Sequence, residues 1–325
     1  MSNNLSIIGA GAWGSALSIA LSENFDTIYL HTHTAEEVQT LKKQHPALSV
    51  KYADNVKLTF DLSLIKESRS VLIAVPSYGF SLTLKNIKPL LAKEQAIAWV
   101  TKGFDTSHQG FLHESFESIL HEHSSCAISG PSFAFEVAAH KPTAVTVASK
   151  DKGTRDYWAK ILHTQTLRAY TNEDIIGVEV GGSVKNILAI AAGIASGLGY
   201  GANTQAALIT RGLAEMIRLG ISLGAQEKTF NGLSGLGDLV LTCSDDLSRN
   251  RRFGKALADN QDVKQALNSV GATVEGLNTL ELILSIAKKC QVEMPICEQV
   301  FQVTEGNISP TQAVNHLMSR DQIDE

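Results

Sequence analysis

The stretch Leu5–Asn24 reads LSIIGAGAWGSALSIALSEN, and it decides the fold of the first half of the chain. An apolar run ends in a Gly-x-Gly-x-x-Gly pattern formed by Gly9, Gly11 and Gly14. An amphipathic stretch follows, and a second apolar run, TIYLHT, begins at Thr27. A glycine-rich turn between a strand and a helix, inside a βαβ unit of about 30 residues, is the fingerprint of dinucleotide binding.

Each glycine of this pattern has a physical role. Gly9 allows the tight turn, Gly11 lets the backbone approach a pyrophosphate, and Gly14 lets helix and strand pack closely. The backbone N–H groups and the dipole of the helix N-terminus then favour the phosphates. With Ala12 and Trp13, these residues form the candidate cofactor loop; the alternative is a glycine-rich turn without a ligand.

The second apolar run lacks the acidic residue that usually follows it in such units. An Asp or Glu there would bond the ribose 2′-OH of NAD and repel the 2′-phosphate of NADP. His33 stands in this region and can accept a 2′-phosphate, whereas Glu36 and Glu37 oppose one. We therefore expect use of NAD or NADP; the alternative is a polar surface without preference. A preference above about a thousandfold for either cofactor would contradict this expectation.

Short apolar runs alternate with helical stretches up to about residue 170. Most of the runs are continuously apolar, which is typical of strands covered on both faces in a mainly parallel sheet. The last two are expected to form an edge extension of mixed direction. The predicted strands are residues 5–9, 27–32, 56–60, 71–76, 96–101, 126–130, 143–148 and 167–171.

The strand pattern stops after about residue 174, and the rest of the chain is predicted to be helical. An α/β half followed by an all-helical half indicates two domains. We expect an N-terminal Rossmann-type, mainly parallel sheet in the dinucleotide-binding domain, residues 1–178, and a C-terminal all-α substrate-binding domain, residues 179–325. The predicted helices are residues 174–199, 202–223, 249–259, 262–269, 275–289, 295–304 and 309–319.

Composition excludes several classes of protein. Hydrophobic residues make up 44% and charged residues 19%, which is ordinary globular usage, and the formal net charge is −5. A mildly acidic chain is a poor general binder of nucleic acid or anionic membranes, although a local basic cluster can still hold a small anion. The longest apolar run outside the N-terminus, Ile187–Gly199, has about 13 residues and is too short to span a bilayer.

The four cysteines are scattered without a C-x-x-C pair, which indicates reduced thiols in a cytoplasmic protein. Cys243 is expected to be a small buried thiol. The apolar N-terminus lacks the basic region of a signal peptide. His121-Glu122-His123 invites a metal hypothesis, but no third ligand at helical spacing stands out, so we expect a solvated loop and no metal.

Two segments of the first half carry candidate chemistry. Lys102 follows the fifth predicted strand, and open α/β sheets bind ligands outside the carboxyl ends of their strands. An exposed loop lysine is the alternative. In the turn SGPSFA at residues 129–134, Ser132 fits a helix N-cap with Glu136 in the first turn. The same N–H groups can instead hold a ligand oxygen.

Two segments of the second half carry the rest. Lys185 lies in a strongly apolar helix, where a lysine is costly to bury unless it is paired or functional. It is therefore the candidate general acid/base, and a snorkelling or salt-bridged lysine is the alternative. Asp238 follows two glycines and is expected to project from a tight turn. Ser248, Arg249 and Asn250 can begin a helix that holds a phosphate, whereas Arg251 and Arg252 fit a solvated face.

Six segments occur in the order found in one known family. They are GAGAWGSAL, TKGFD, SGPSFAFEV, GGSVKNILAIAAG, GLSGLGDLVLTC and SRNRRFG, and together they resemble the bacterial NAD(P)-dependent glycerol-3-phosphate dehydrogenase family. The resemblance spans almost the whole chain, from Leu5 to about Met318. It implies interconversion of sn-glycerol 3-phosphate and dihydroxyacetone phosphate, supply of glycerol phosphate for phospholipid synthesis, and a homodimer.

The resemblance also implies roles for individual positions. Lys185 matches the proton acceptor and donor, and Asp238 would orient it together with the substrate hydroxyl. His33 departs from the family pattern, which commonly has Arg there. The other implied substrate contacts are Lys102, Gly130, Ser132, Ser248, Arg249 and Asn250, and the implied cofactor contacts are Trp13, Lys102, Ala134, Arg249 and Glu275.

Two rival functions remain open from the residues. One is another dehydrogenase of the same two-domain plan, acting on a 3-hydroxy acid or on 6-phosphogluconate, because these also place Lys and Asn on the interdomain helix. The GLGDL and SRN segments favour the glycerol phosphate hypothesis. The other rival is a nicotinamide-sensing protein without turnover, which would not need both Lys102 and Lys185.

Overall fold

The computed structural model describes residues 3–42, 44–259, 262–271 and 273–319. The chain forms two compact units, Met1–Glu179 and Val180–Glu325. Both units include part of one long helix, because the boundary falls within residues 175–197.

The first unit contains a sheet of eight strands with helices between them. The strands are β1 (Asn4–Ile8), β2 (Thr27–His31), β3 (Val56–Thr59), β4 (Ser70–Ile73), β5 (Ala96–Trp99), β6 (Ala127–Ser129), β7 (Thr143–Ala148) and β8 (Leu167–Asn172). The helices are α1 (Ala12–Ala20), α2 (Ala35–Leu41), α3 (Phe80–Ile87), α4 (Leu112–Ile119), α5 (Ala134–Ala138) and α6 (Lys152–Leu162), with short 3₁₀ turns at Ser22–Asn24, Leu62–Glu67, Ser77–Gly79 and Lys88–Leu90.

The sheet has the order β3-β2-β1-β4-β5-β6-β7-β8, so all eight predicted strands are confirmed. Strands β1 to β6 pair in parallel, β6 pairs antiparallel with β7, and β7 pairs in parallel with β8. The expected extension of mixed direction is therefore present. The strand order reverses between β1 and β4, and such a switch point is where open α/β sheets bind their ligands.

Alternate residues of the central strands face two different cores, which explains why these strands are continuously apolar. In β4, Leu72 joins the core on one face, whereas Val71 and Ile73 join the core on the other. In β5, Ala98 and Trp99 divide in the same way. Side chains alternate across a strand, so a sheet covered by helices on both faces needs an apolar residue at every position.

The described residues of the second unit form helices joined by turns and loops, with no strand among them. Its helices begin with α7 (Ile175–Gly197), which is shared with the first unit. They continue with α8 (Ala202–Ser222), α9 (Glu227–Phe230), α10 (Asp238–Ser244), α11 (Arg249–Ala258), α12 (Val263–Val270), α13 (Glu275–Lys289), α14 (Pro295–Thr304) and α15 (Pro310–Met318), and a π-helical turn covers Leu233–Gly237.

All seven helices predicted for this half are confirmed to within a few residues, and α15 begins with the predicted Ser309 cap and Pro310 at its first turn. The tight turn predicted before Asp238 is wrong. The glycines of this segment form the π-helical turn, which runs directly into α10. The reason is a close packing of backbones: a Cβ added at Gly181 of α7 would lie 2.4 Å from the carbonyl oxygen of Ser234.

Helix α7 is the core helix of the second unit. It is the helix among the described residues that is long and apolar enough to cross a membrane by length and composition alone, and 94% of its apolar window is buried. The run that begins at Ile187 is buried as predicted. A buried apolar helix of this kind is ordinary for the core of a domain.

Candidate active site

The glycine-rich turn lies at the carboxyl end of β1 and leads into α1. Gly9 has a φ of +113°, and its backbone N–H donates to the carbonyl oxygen of His31 at 3.0 Å. A Cβ at Gly14 would lie 2.0 Å from the carbonyl oxygen of Gly9, so the helix can approach the turn only with glycine there. The predicted structural roles of Gly9 and Gly14 are therefore explained by geometry.

Gly11 differs from the other two glycines, because a Cβ placed on it would meet nothing within 4 Å. It forms the N-cap of α1, where no side chain of the described residues caps the helix. The turn thus leaves an open cradle beside a helix N-terminus, in which a methyl group would occupy ligand space. This arrangement fits a dinucleotide pyrophosphate.

Two predicted cofactor residues border this turn. Trp13, in the first turn of α1, packs against the same small apolar cluster as Ala134 of α5. Ala12 begins α1. The cluster thus brings together Trp13 of the glycine-rich motif and Ala134 of the SGPSFA motif, and both side chains are half-buried.

The end of β2 carries one buried and one exposed histidine. His31 is 1% exposed and its Nε2 lies 3.2 Å from the Ser6 hydroxyl; burial lowers its pKa to about 4, so it is neutral. His33 is exposed, and its backbone N–H donates to the Glu37 carboxylate at 2.8 Å. Thr34 caps α2 by accepting the N–H of Glu37. A carboxylate therefore lies beside the backbone of His33, although none directly ends the strand.

The structure brings together Lys102, Gly130 and Ser132, three positions that the resemblance implies as substrate contacts. The carbonyl oxygen of Gly130 accepts Lys102 Nζ at 3.0 Å and the Ser132 hydroxyl at 2.9 Å. The expectation that Ser132 caps a helix is wrong, because α5 has Phe133 as its N-cap and the Ser132 hydroxyl turns back to Gly130. Glu136 does lie in the first turn of α5.

A buried carboxylate organises the loop that carries Lys102. Asp105 is fully buried and accepts hydrogen bonds from Ser81, from Ser107 through both N–H and hydroxyl, from the N–H of His108, and from Ser115. Burial opposes its charge, but these donors outweigh burial and hold the pKa of Asp105 below its usual value. The loop after β5 is thus fixed from its inner side.

Lys185 forms the centre of the site in the second unit. Its Nζ donates to Asp238 Oδ1 at 2.6 Å and to Thr242 Oγ1 at 2.9 Å. The side chains of Lys185 and Asp238 are 7% and 1% exposed. The Thr242 hydroxyl donates in turn to the backbone oxygen of Asp238 at 2.6 Å. A buried lysine with a fixed carboxylate and a fixed hydroxyl has the composition of a general acid/base site.

Thr242 was missed by sequence reasoning. It follows Asp238 by one helical turn, so both face the same side of α10. A helix predicted over residues 238–244 would have placed Asp238 and Thr242 on one face, because they are four residues apart. The tight turn that was predicted instead gave no reason to pair them.

An amide network continues from Lys185 to the next helices. Asn250 Nδ2 donates to Asn186 Oδ1 at 3.0 Å, and the backbone N–H of Gly276 donates to Asn250 Oδ1 at 2.9 Å. Asn186 Nδ2 donates weakly to Glu275 Oε2 at 3.4 Å, and Arg249 Nη2 lies 3.9 Å from Glu275 Oε1. The network brings the predicted residues Arg249, Asn250 and Glu275 together beside α7. Asn186, like Thr242, is a residue of the site that the sequence analysis did not select.

The two arginines after Asn250 behave differently. Ser248 caps α11, because its hydroxyl accepts the backbone N–H of Arg251 at 3.2 Å. Arg252 is exposed, as the sequence suggested, but Arg251 is only 8% exposed, so its assignment to a solvated face is wrong. Arg249 keeps 44% of its side chain exposed.

The cysteines and the histidine–glutamate segment take no part in this site. All four cysteines are free thiols, and burial raises the pKa of Cys243 to about 12, so it is an inert small side chain as predicted. Within the described residues, no group of three or more His, Cys, Asp or Glu side chains is placed to hold a metal ion.

The sheet order, the open glycine cradle at its switch point and the buried Lys185–Asp238–Thr242 group together define the class of protein: a dinucleotide-dependent oxidoreductase. Family models refine this class. Residues 4–155 match the N-terminal domain and residues 174–315 the C-terminal domain of NAD-dependent glycerol-3-phosphate dehydrogenase. The chain belongs to this family.

Individual relatives match along their whole length. A glycerol-3-phosphate dehydrogenase (NAD(P)+) of Ruthia magnifica subsp. Calyptogena magnifica is 68% identical over 100% of both chains. One of Idiomarina loihiensis is 43% identical, over 98% of this chain and 97% of the relative. The crystal structure of the glycerol-3-phosphate dehydrogenase of Coxiella burnetii superposes with a TM-score of 0.93 at 41% identity, over 98% of this chain and 99% of that one.

Proposed function

We propose that this protein interconverts sn-glycerol 3-phosphate and dihydroxyacetone phosphate with NAD(H) or NADP(H). The observation that carries the proposal is the buried hydrogen bond of 2.6 Å between Lys185 and Asp238, in a chain 68% identical throughout to a curated glycerol-3-phosphate dehydrogenase. The product in the direction of reduction, glycerol phosphate, is proposed to supply phospholipid synthesis.

The acid/base step is assigned to Lys185. The reduced nicotinamide, when bound, supplies the hydride for the ketone carbon. Protonated Lys185 Nζ gives its proton to the ketone oxygen, and in the reverse direction neutral Lys185 takes the proton of the substrate hydroxyl. Asp238 and Thr242 fix the position of Nζ through the two short contacts described above. Lys102 is proposed to add positive charge that favours the developing alkoxide.

The substrate phosphate is assigned to the start of α11. The helix has 10 residues and begins at Arg249, whose half-exposed guanidinium can bind phosphate oxygens through two parallel N–H bonds. The first N–H groups of a helix and its dipole add donors for an anion. Ser248 and Asn250 flank Arg249, and both side chains are held by hydrogen bonds within the protein. Gly130 and Ser132 are proposed as further substrate contacts.

The cofactor is assigned to the open cradle and to residues around it. The space above Gly11 supports this assignment, because it fits a pyrophosphate and is closed by no side chain within 4 Å of the added Cβ. Absence of an acidic residue at the end of β2 supports use of both cofactors. The proposed contacts are Gly9, Gly11, Ala12, Trp13, Gly14, His33, Lys102, Ala134, Arg249 and Glu275.

The decisive experiment measures NADH oxidation by the purified protein with dihydroxyacetone phosphate. We expect turnover with this substrate and none with 3-hydroxy acids or 6-phosphogluconate in the oxidative direction. Turnover of those acids alone would support the rival dehydrogenases. Binding of NADH without turnover of any substrate would support a sensor.

Arg249→Ala tests the phosphate assignment. Loss of a bidentate charged contact is expected to raise KM for dihydroxyacetone phosphate by at least about tenfold. Arg252→Ala removes the same charge from an exposed neighbouring position and is the matched control. An unchanged KM in Arg249→Ala would show that the phosphate binds elsewhere.

The partner and compartment are also proposed. A groove of about 1360 Å³ runs along α7, α8, α14 and α15, and its walls are largely apolar. Ile221 and Met318 line it while 49% and 80% exposed. An exposed apolar surface of this kind is typical of an interface, and we propose a homodimer that covers it.

The free thiols support a cytoplasmic location.

A further inference from the structure

We infer that Arg251 is a positioning residue for the substrate phosphate, because its guanidinium fixes the segment that presents Ser248, Arg249 and Asn250. The inference rests on the proposed function of α11 as the phosphate site. It concerns an arginine that makes no proposed contact with substrate or cofactor.

The contacts of Arg251 use three sides of its guanidinium. Nε donates to the carbonyl oxygen of Cys243 at 2.9 Å, and Nη2 donates to the Ser196 hydroxyl at 3.1 Å. Nη1 forms an ion pair with Asp246. Its side chain is 10% exposed, whereas that of Asp246 is 54% exposed. Each of the three guanidinium nitrogens thus has a protein acceptor, and Arg251 is not proposed as a direct phosphate ligand.

These acceptors lie on the elements that carry the site. Cys243 is near the end of α10, one residue after Thr242, and Ser196 is near the end of α7. Asp246 lies in the connection between α10 and α11. One side chain therefore ties the end of the Asp238 helix and the connecting segment to α7.

The backbone of Arg251 fixes the other end of the same segment. Its N–H donates to the Ser248 hydroxyl at 3.2 Å and so defines where α11 begins. Lys255 Nζ also contacts Asp246, at 2.9 Å, which adds a second cation on the connecting segment. Residues 245–248 are consequently held at both ends, which fixes where α11 begins.

A lysine cannot reproduce this arrangement. The guanidinium is planar, with donors in a fixed fork, whereas an ammonium is a compact charge on a flexible stem. Lys at this position keeps the charge but cannot reach the carbonyl, the hydroxyl and the carboxylate together. The start of α11 then shifts, so its donors and the Arg249 fork no longer match the geometry of the phosphate.

The experiment compares Arg251→Lys with wild type and with Arg252→Lys, its exposed neighbour. We expect KM for dihydroxyacetone phosphate to rise by about tenfold or more in Arg251→Lys, with KM for NADH within about twofold of wild type. The inhibition constant of inorganic phosphate should rise in parallel. Arg252→Lys should leave all three constants unchanged. A purely structural residue would lower the melting temperature without this selective change in phosphate affinity.

Asp246→Asn supplies a second variant if Arg251→Lys does not fold. It removes the ion pair but keeps the other two contacts of Arg251, so a smaller rise in the same two constants is expected. The inference is overturned if both folded variants bind dihydroxyacetone phosphate and inorganic phosphate as wild type does. It is also overturned if KM for NADH rises as much as KM for the phosphorylated substrate.

Failure of the proposed function gives a different pattern. In that case wild type itself does not turn over dihydroxyacetone phosphate. Titration calorimetry with inorganic phosphate then still decides the inference, because it measures phosphate affinity of wild type, Arg251→Lys and Arg252→Lys without any reaction. Equal affinities, or none in wild type, overturn it.

Discussion

At the scale of single residues, the site depends on a charged pair held out of water. Lys185 and Asp238 are both nearly inaccessible, and transferring such charges from water is costly unless each keeps a partner. Thr242 satisfies a further hydrogen of the ammonium group. A pair of this kind is weak evidence for stability, and its proposed role in the acid/base step is the better explanation for retaining it.

Lys185→Ala is expected to lower kcat by about a hundredfold or more, because general acid/base catalysis typically contributes this much. Lys289→Ala, at an exposed position of α13, is the matched control and should retain full activity. Steady-state kinetics measure the loss, and titration of NADH fluorescence should show that the cofactor still binds. Activity within about tenfold of wild type would remove Lys185 from the acid/base role.

Gly11→Val separates cofactor binding from folding. A Cβ at Gly11 meets nothing within 4 Å, and its φ of −65° and ψ of 176° suit a β-branched residue. The melting temperature without ligand should therefore fall by only a few degrees, which is the cost of replacing a glycine N-cap. The side chain would fill the cradle, so the stabilisation by NADH, about 2.7 kcal/mol at a hundred times Kd in wild type, should disappear.

Gly14→Val is the contrasting variant for this test. Its Cβ would clash with the Gly9 carbonyl at 2.0 Å, so it should lower the melting temperature even without NADH. A Gly11→Val protein that NADH stabilises as strongly as wild type would show that the pyrophosphate does not approach Gly11.

At the scale of elements, the contact between Lys185 and Asp238 depends on how two helices meet. The π-helical turn at Leu233–Gly237 brings α10 against α7, and a side chain at Gly181 would prevent this approach.

In the same unit, Glu215 ties α8 to α14. Its carboxyl oxygens accept the backbone N–H groups of Ile296 at 2.6 Å and Cys297 at 3.3 Å.

Glu215→Gln is predicted to change how stability depends on pH. Burial raises the pKa of Glu215 to about 7, although the two N–H donors and Arg218 oppose this shift. In the unfolded chain this carboxyl ionises above its ordinary pKa of about 4.5, so its contribution to the free energy of unfolding is fully present below that pH. Between that pH and about pH 7 the contribution should be lost, which lowers the free energy of unfolding by at most about 3 kcal/mol.

Urea unfolding at about pH 5 and about pH 8 measures this difference. Glutamine cannot ionise, so the free energy of unfolding of the variant should not show the decrease that Glu215 causes between these pH values. All other ionisable groups change the free energy of unfolding equally in both proteins. Identical pH dependence of the free energy of unfolding in the two proteins would contradict the shifted carboxyl.

At the scale of the whole molecule, charge and apolar surface act separately. The net charge of −5 argues against general binding of polyanions, yet the proposed ligands all carry phosphate. Local donors at Arg249 and at two helix N-termini explain this, because such contacts act over a few ångströms and do not depend on the total charge. The apolar groove of the helical unit concerns a different proposed partner, a second copy of the chain.

Ile221→Glu tests the proposed homodimer. The side chain of Ile221 is 49% exposed and lines the groove, so a charge there should cost little within one chain but disfavour a buried interface. Light scattering during gel filtration should give a dimeric mass for wild type and a monomeric mass for the variant. Phe60→Glu, at a 59% exposed position in the first unit, should stay dimeric. A monomeric wild type would refute the proposal.

The sequence by itself determined the order of strands and helices, the glycine-rich turn of the dinucleotide fingerprint and the choice of Lys185 as the candidate acid/base. Periodicity, glycine spacing and the cost of burying a charge are local properties, so they can be read along the chain. Only the tertiary structure decided that Lys185 meets Asp238 and that Arg251 is buried against Ser196. The reason is distance along the chain: Lys185 and Asp238 are 53 residues apart and Arg251 and Ser196 are 55 apart, so no local pattern records their contacts.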